Sequence, residues 1–121
     1  MLNALIIDDN REVAEELRRL LNLLGIESAA AYGSRAGIVA MQTSRPDLVF
    51  LDINMPGVTG FDVLAFIQRE PGLAEIPVFI VSSEDQEDTI RKAIAEGAKA
   101  FLAKPVSAEE LEAVLKQFVT L

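Results

Sequence analysis

Leu48-Val-Phe-Leu-Asp52-Ile-Asn-Met-Pro-Gly57 runs four apolar residues straight into a carboxylate and then into a turn. Such a short, unbroken apolar run suits a strand buried on both faces of a parallel sheet. Asn54, Pro56 and Gly57 are turn formers, so the chain reverses just after the acid. The same pattern recurs on either side. Ala4–Ile7 precedes Asp8-Asp9, Val78–Val81 precedes Ser82-Ser83, and Ala100–Ala103 precedes Lys104, with a weaker run at Ser28–Ala31.

Between the runs lie stretches of helical period. In Arg11–Leu24 the residues Val13, Leu17, Leu20, Leu21 and Leu24 fall on one stripe, and Gly25 supplies a stop. Ser34–Thr43 is a poorer helix with Gly37 inside it, and Phe61–Arg69 stops before Pro71-Gly72. Gln86–Glu96 ends at Gly97. The last helix opens on the capping-box pattern Ser107-Ala-Glu-Glu110 and runs through Leu111, Val114, Leu115 and Phe118. Five strand–helix units in alternation call for a doubly wound α/β sandwich with right-handed crossovers. Periodicity leaves the strand order open.

Composition narrows the function. A chain of 121 residues, 50% hydrophobic, is one domain with a real core. No apolar run approaches the ~20 residues a membrane helix needs. The start, Met-Leu-Asn-Ala-Leu-Ile-Ile-Asp-Asp, lacks the basic region of a signal peptide, and a cytoplasmic setting is expected. With no Cys there is no disulfide framework or thiolate metal site, which fits a reducing compartment. A formal charge of −8 argues against a nucleic-acid surface. With no His, imidazole is removed from every role in this chain.

In an open parallel sheet the carboxyl ends of the strands share one edge, and ligands bind outside it. Asp8, Asp9, Asp52, Ser82, Ser83 and Lys104 all stand at such ends. Each has a plainer role. Asp8 and Asp9 could cap a helix, Asp52 could open an Asn/Pro/Gly turn, Ser83 could cap the next helix, and Lys104 could be a solvated loop lysine. Together they are harder to dismiss. Clustered carboxylates repel and raise at least one pKa, so they call for a counter-charge. A hard divalent cation together with Lys104 would supply it.

The chain resembles the receiver domain of two-component response regulators. The likeness rests on four elements: Asp8-Asp9 after Leu-Ile-Ile; Arg45-Pro-Asp-Leu-Val-Phe-Leu-Asp52-Ile-Asn-Met-Pro with Gly60; Ile76-Pro-Val-Phe-Ile-Val-Ser82-Ser83-Glu84; and Gly97-Ala-Lys-Ala-Phe101-Leu-Ala-Lys104-Pro105. Each alone is unspecific; the four in order, each after its own strand, are not. The resemblance implies a flavodoxin-like fold over residues 1–121, with a parallel sheet in the order 2-1-3-4-5. It implies that Asp52 accepts a phosphoryl group. Asp9, Asp52 and the backbone carbonyl of Asn54 would bind Mg²⁺ (or another small divalent cation such as Mn²⁺), with Asp8 acting largely through bound water. Lys104 would pair with Asp52 and Ser82 would bond the phosphoryl group. Phe101 would change rotamer, and Lys104-Pro105 would be cis.

The implied donor is the phosphohistidine of a sensor histidine kinase or a His-containing phosphotransfer protein. The implied role is a signalling phosphoacceptor rather than an enzyme, switching on the surface of the fourth helix, fifth strand and fifth helix. Thr59 stands where the family often has an acid, and Lys99-Ala100 where dimerising receivers carry acids, so a monomer or weak dimer is expected. Two other families share parts of the pattern. An FMN-binding flavodoxin wants a Gly/Ser/Thr-rich first loop, where this chain has Asp8-Asp9-Asn10-Arg11. A haloacid-dehalogenase-like phosphotransfer domain wants a second Asp at position 54 and a larger cap.

Overall fold

The structure, a computed structural model, describes residues 2–121. Five strands alternate with five helices: β1 (Asn3–Ile7), α1 (Arg11–Leu23), β2 (Glu27–Ala31), α2 (Ser34–Thr43), β3 (Leu48–Leu51), α3 (Gly60–Arg69), β4 (Val78–Ser82), α4 (Glu87–Ala95), β5 (Ala100–Ala103) and α5 (Ala108–Leu115). All pairings are parallel, in the order β2-β1-β3-β4-β5.

Side chains alternate along each strand, so the sheet carries a separate core on each face. Leu5 and Ile7 of β1, Val49 and Leu51 of β3, and Val78 and Ile80 of β4 face α2, α3 and α4. Ala4 and Ile6, Leu48 and Phe50, and Phe79 and Val81 face α1 and α5, meeting Leu17, Leu21, Leu111 and Leu115. The continuous apolarity of β3 and β4 is this two-sided burial, worth about 1.5–3 kcal/mol for each large side chain. β2 pairs only with β1, and Ala31 is its single buried residue, which is why its sequence signal is weak.

Two local features differ from the sequence reading. Gly37 does not weaken α2 by accident. A Cβ there would sit 2.7–2.8 Å from the side chain of Ile7, so glycine lets α2 lie close against β1. The last helix ends at Leu115, before Phe118. Gln117 and Phe118 donate to the carbonyls three residues back, a tight turn that brings the Phe118 ring edge-on to Phe79 at 5.4 Å. Phe118 thus keeps its apolar contact without being helical.

Candidate functional site

Parallel pairing of β1 with β3 sets Ile7 beside Leu51, and therefore Asp8 beside Asp52. The ladder continues past the strand ends. Asp52 N–H donates to the Ile7 carbonyl at 2.9 Å, Asp8 N–H to Ala31 at 3.1 Å, and Lys104 N–H to Ser82 at 3.0 Å. Those bonds fix the backbone from which every candidate side chain leaves. Asp8, Asp9 and Asp52 each offer a carboxylate oxygen within 4.8 Å of the other two.

Lys104 closes this trio, pairing with Asp52 as expected and more closely with Asp8. Its ammonium lies 2.8 Å from Asp8 Oδ2 and 3.4 Å from Asp52 Oδ1, so Asp8 is the tighter partner. Asp8 is also held on its other side, where Oδ1 accepts the Asn10 N–H at 2.9 Å. Asp8 and Asp52 are buried at 3% and 6% exposure, while Asp9 is exposed. Burial pushes the Asp52 carboxyl up to about 6, the Asp8 charge adds to this, and Lys104 opposes both. The expected rise is present, but loss of water outweighs mutual repulsion as its cause.

The plainer roles are taken by other residues. Asn10, not either aspartate, caps α1, accepting the Val13 N–H at 3.1 Å. Among the described residues no side chain pairs with Asp9, which leaves it free at the mouth of the cluster. Gln86 rather than Ser83 stands at the start of α4, and its side chain makes no capping bond. Ser82 is the last residue of β4, fully buried, and its Oγ accepts the Glu84 N–H at 3.1 Å. Asn54 is exposed at the tip of a turn that Met55 N–H closes onto the Ile53 carbonyl at 3.1 Å. Phe101 is half-buried against the core shared with α3 and α4. The Lys104-Pro105 peptide is cis.

Gly60 shows why the loop after Asp52 has its composition. A Cβ at Gly60 would lie 2.1 Å from the Asp52 carbonyl oxygen and 2.6 Å from Ile53 Cα. Only glycine lets the start of α3 rest on that backbone. Thr59 caps α3 in a reciprocal capping box with Asp62, which accounts for a hydroxyl residue at that position.

Two features escaped the sequence reading. Ser34, buried at the start of α2, donates to the Val58 carbonyl and lies 3.7 Å from Met55 Sδ, bracing the same loop from behind. Arg11, Tyr32, Glu15 and Arg18 form an exposed cluster between α1 and the end of β2. Neither gives a local signal, because each joins residues from different elements.

An open parallel sheet with a carboxylate trio closed by one lysine at its carboxyl rim defines a flavodoxin-like domain with an acidic edge. The chain belongs to the response regulator receiver domain family, whose model matches residues 4–116. It is 32% identical over 111 residues to Protein PilH of Pseudomonas aeruginosa, covering 92% of this chain and 92% of PilH. It is 29% identical to the phosphate regulon transcriptional regulatory protein PhoB of the same organism, covering 93% of this chain but 49% of PhoB. Among solved structures, the chemotaxis protein CheY4 of Vibrio cholerae superposes with a TM-score of 0.90 at 25% identity, over 98% of this chain and 99% of that one. Among the described residues no helix is long and apolar enough to cross a membrane.

Proposed function

We propose that Asp52 accepts a phosphoryl group from a phosphohistidine, and that the resulting acyl phosphate switches the α4–β5–α5 face of a cytoplasmic signalling domain spanning residues 1–121. The observation that carries this reading is the meeting of Asp8, Asp9 and Asp52 with Lys104 at one strand-end rim. Three oxygen donors within 4.8 Å suit a small hard cation, and the chain has no thiolate or imidazole ligand to favour a softer one. Asp9, Asp52 and the Asn54 carbonyl would hold Mg²⁺, with Asp8 supporting it through water; Mn²⁺ fits the same donors. Bound there, the ion would neutralise charge between carboxylate and phosphoryl oxygens, which otherwise repel.

The chain's own groups account for the rest. With its carboxyl at about 6, Asp52 is mostly ionised at neutral pH and so available as a nucleophile. Its oxygen forms the bond to phosphorus as the P–N bond to the donor imidazole breaks, and the electron pair leaves on that nitrogen. Lys104, already between Asp8 and Asp52, turns to the equatorial oxygens. The Ser82 hydroxyl donates to one of them, which draws on the loop that Ser82 holds through the Glu84 N–H. Phe101 then moves further inward. Only such a differential contact can shift the two-state balance. Attack by water on phosphorus returns the carboxylate and inorganic phosphate, so the domain promotes only its own phosphorylation and dephosphorylation.

The partners are a sensor histidine kinase or a His-containing phosphotransfer protein upstream and an output protein downstream. Incubation with a small phosphodonor and Mg²⁺ is expected to add one phosphoryl group by intact mass, and none in Asp52→Asn. Equal labelling of Asp52→Asn would overturn the reading. Ser82→Ala is expected to accept the group but to lose most of the NMR shift change at Phe101; an unchanged response there would refute the coupling.

A further inference from the structure

The rim carries a second cation that the chemistry above does not use. Arg11 opens α1 two residues beyond Asp9, so at most about 7 Å of backbone separates them. Its guanidinium carbon stands 4.0 Å from the centroid of the Tyr32 ring. Tyr32 follows β2 directly, and the preceding Ala31 carbonyl accepts the Asp8 N–H. Both residues therefore leave the backbone next to the carboxylate cluster.

Arg11 and Glu15 are four apart on α1, the spacing at which opposite charges meet across a helical turn. Among the described residues no ion pair joins them, because Glu15 is already engaged. Arg18 Nη1 lies 3.1 Å from Oε1, and the Tyr32 hydroxyl donates to Oε2 at 2.9 Å. The Tyr32 hydrogen bond, helped by Arg18 and last by the Arg11 charge, holds the Glu15 carboxyl below its usual range, so it stays ionised and occupied. Tyr32 thus does two things: it occupies the acid that would otherwise capture Arg11, and it offers the guanidinium a ring face. A guanidinium held over a ring face can keep N–H donors open to a bidentate anion.

We propose that Arg11 is a positioning residue that attracts and orients the anionic phosphoryl group of the donor at the carboxylate rim. This rests on the reading of Asp52 as the phosphoryl acceptor. The chain carries a formal charge of −8 and the donor is itself an anion, so the field of the whole molecule opposes approach. Lys104 relieves that poorly at a distance, since its side chain is 18% exposed and spent on Asp8 and Asp52. Arg11 is exposed and, among the described residues, makes no ion pair, although its charge acts on Glu15 from a distance.

The test is the second-order rate of phosphorylation with Mg²⁺ and two donors, dianionic acetyl phosphate and monoanionic phosphoramidate, at low and high ionic strength. With acetyl phosphate, the Asp52 oxygen bonds to phosphorus as the P–O bond breaks, and acetate leaves with the electron pair. Arg11→Gln is expected to slow this reaction about three- to tenfold at low ionic strength, with the gap closing as salt screens the charge. The loss should be smaller with phosphoramidate, and Arg11→Lys should recover most of the rate. An unchanged rate and salt slope in Arg11→Gln would overturn the proposal. So would an equal loss with both donors at both salt concentrations, which marks a merely structural role. If the wild type takes no phosphoryl group from either donor, the acceptor reading itself fails and this inference falls with it.

Discussion

α3 and α4 lie on the same face of the sheet and both border the rim, yet they are anchored differently. α3 buries Gly60, Val63, Leu64 and Ile67, starts in a reciprocal capping box, and rests its first residue on the backbone of Asp52. α4 buries Ala93 alone, and its capping position makes no side-chain bond. Its ion pairs, Arg91 with Glu87 and Asp88, are exposed and within the helix, so they tie it to nothing else and contribute little. One link does reach across: the Lys92 ammonium sits 4.2 Å from the Phe61 ring centroid, an exposed contact worth about 0.5–1 kcal/mol. The difference sets a firmly anchored helix beside Asp52 and a less anchored one next along the rim, which is the arrangement the proposed switch needs.

The largest expected effect is on the rigid side. Gly60→Ala forces a Cβ into the Asp52 carbonyl, with backbone rather than a flexible side chain as the obstacle. Chemical denaturation is expected to show a loss of about 3 kcal/mol or more, at the upper end of overpacking costs. A loss under about 1 kcal/mol would mean that α3 is not held as tightly as its contacts indicate.

The second effect comes from Asp52 itself in metal-free protein. The folded Asp52 carboxyl is raised from 3.8 to about 6, so the folded state binds the extra proton. That stabilisation is fully present below the ordinary value of 3.8 and is lost as pH rises through about 6. Asp52→Asn should therefore gain stability over wild type by up to about 3 kcal/mol above pH 7, with the difference vanishing below about pH 4. A gain independent of pH would point to packing rather than charge.

The smallest effect compares the two helix starts directly. Thr59→Ala is expected to cost about 1 kcal/mol by removing the α3 cap, and Gln86→Ala is expected to stay within about 0.5 kcal/mol. Equal costs in thermal melts would erase the contrast between the helices.

Much of this was legible because the information is local. Strands buried on both faces leave continuous apolar runs, and Asp8, Asp9, Asp52, Ser82 and Lys104 each follow or end one, so position alone brought them to a shared rim. Strand order was not local; it came from resemblance, and parallel pairing of β1 with β3 is what makes Asp8 a neighbour of Asp52. The preference of Lys104 for Asp8 over Asp52 also lay beyond the sequence, since it depends on a few tenths of an ångström between two buried carboxylates. Ser34, and Arg11 on Tyr32, were invisible for the same reason: each is defined by a partner more than twenty residues away. Gly37 was visible but its packing role was not, because helix propensity reports the isolated helix and Ile7 decides the packed one.

The central claim is that the phosphoryl group rides on one carboxylate of the three, and chemical trapping tests it most directly. Borohydride reduces an acyl phosphate to an alcohol, so a phosphorylated aspartate becomes homoserine, which peptide mass spectrometry can locate. After treatment with a small phosphodonor and Mg²⁺, homoserine is expected at position 52 and at neither Asp8 nor Asp9. Homoserine at Asp8 or Asp9 would contradict the account, as would a phosphate that survives reduction on Ser82.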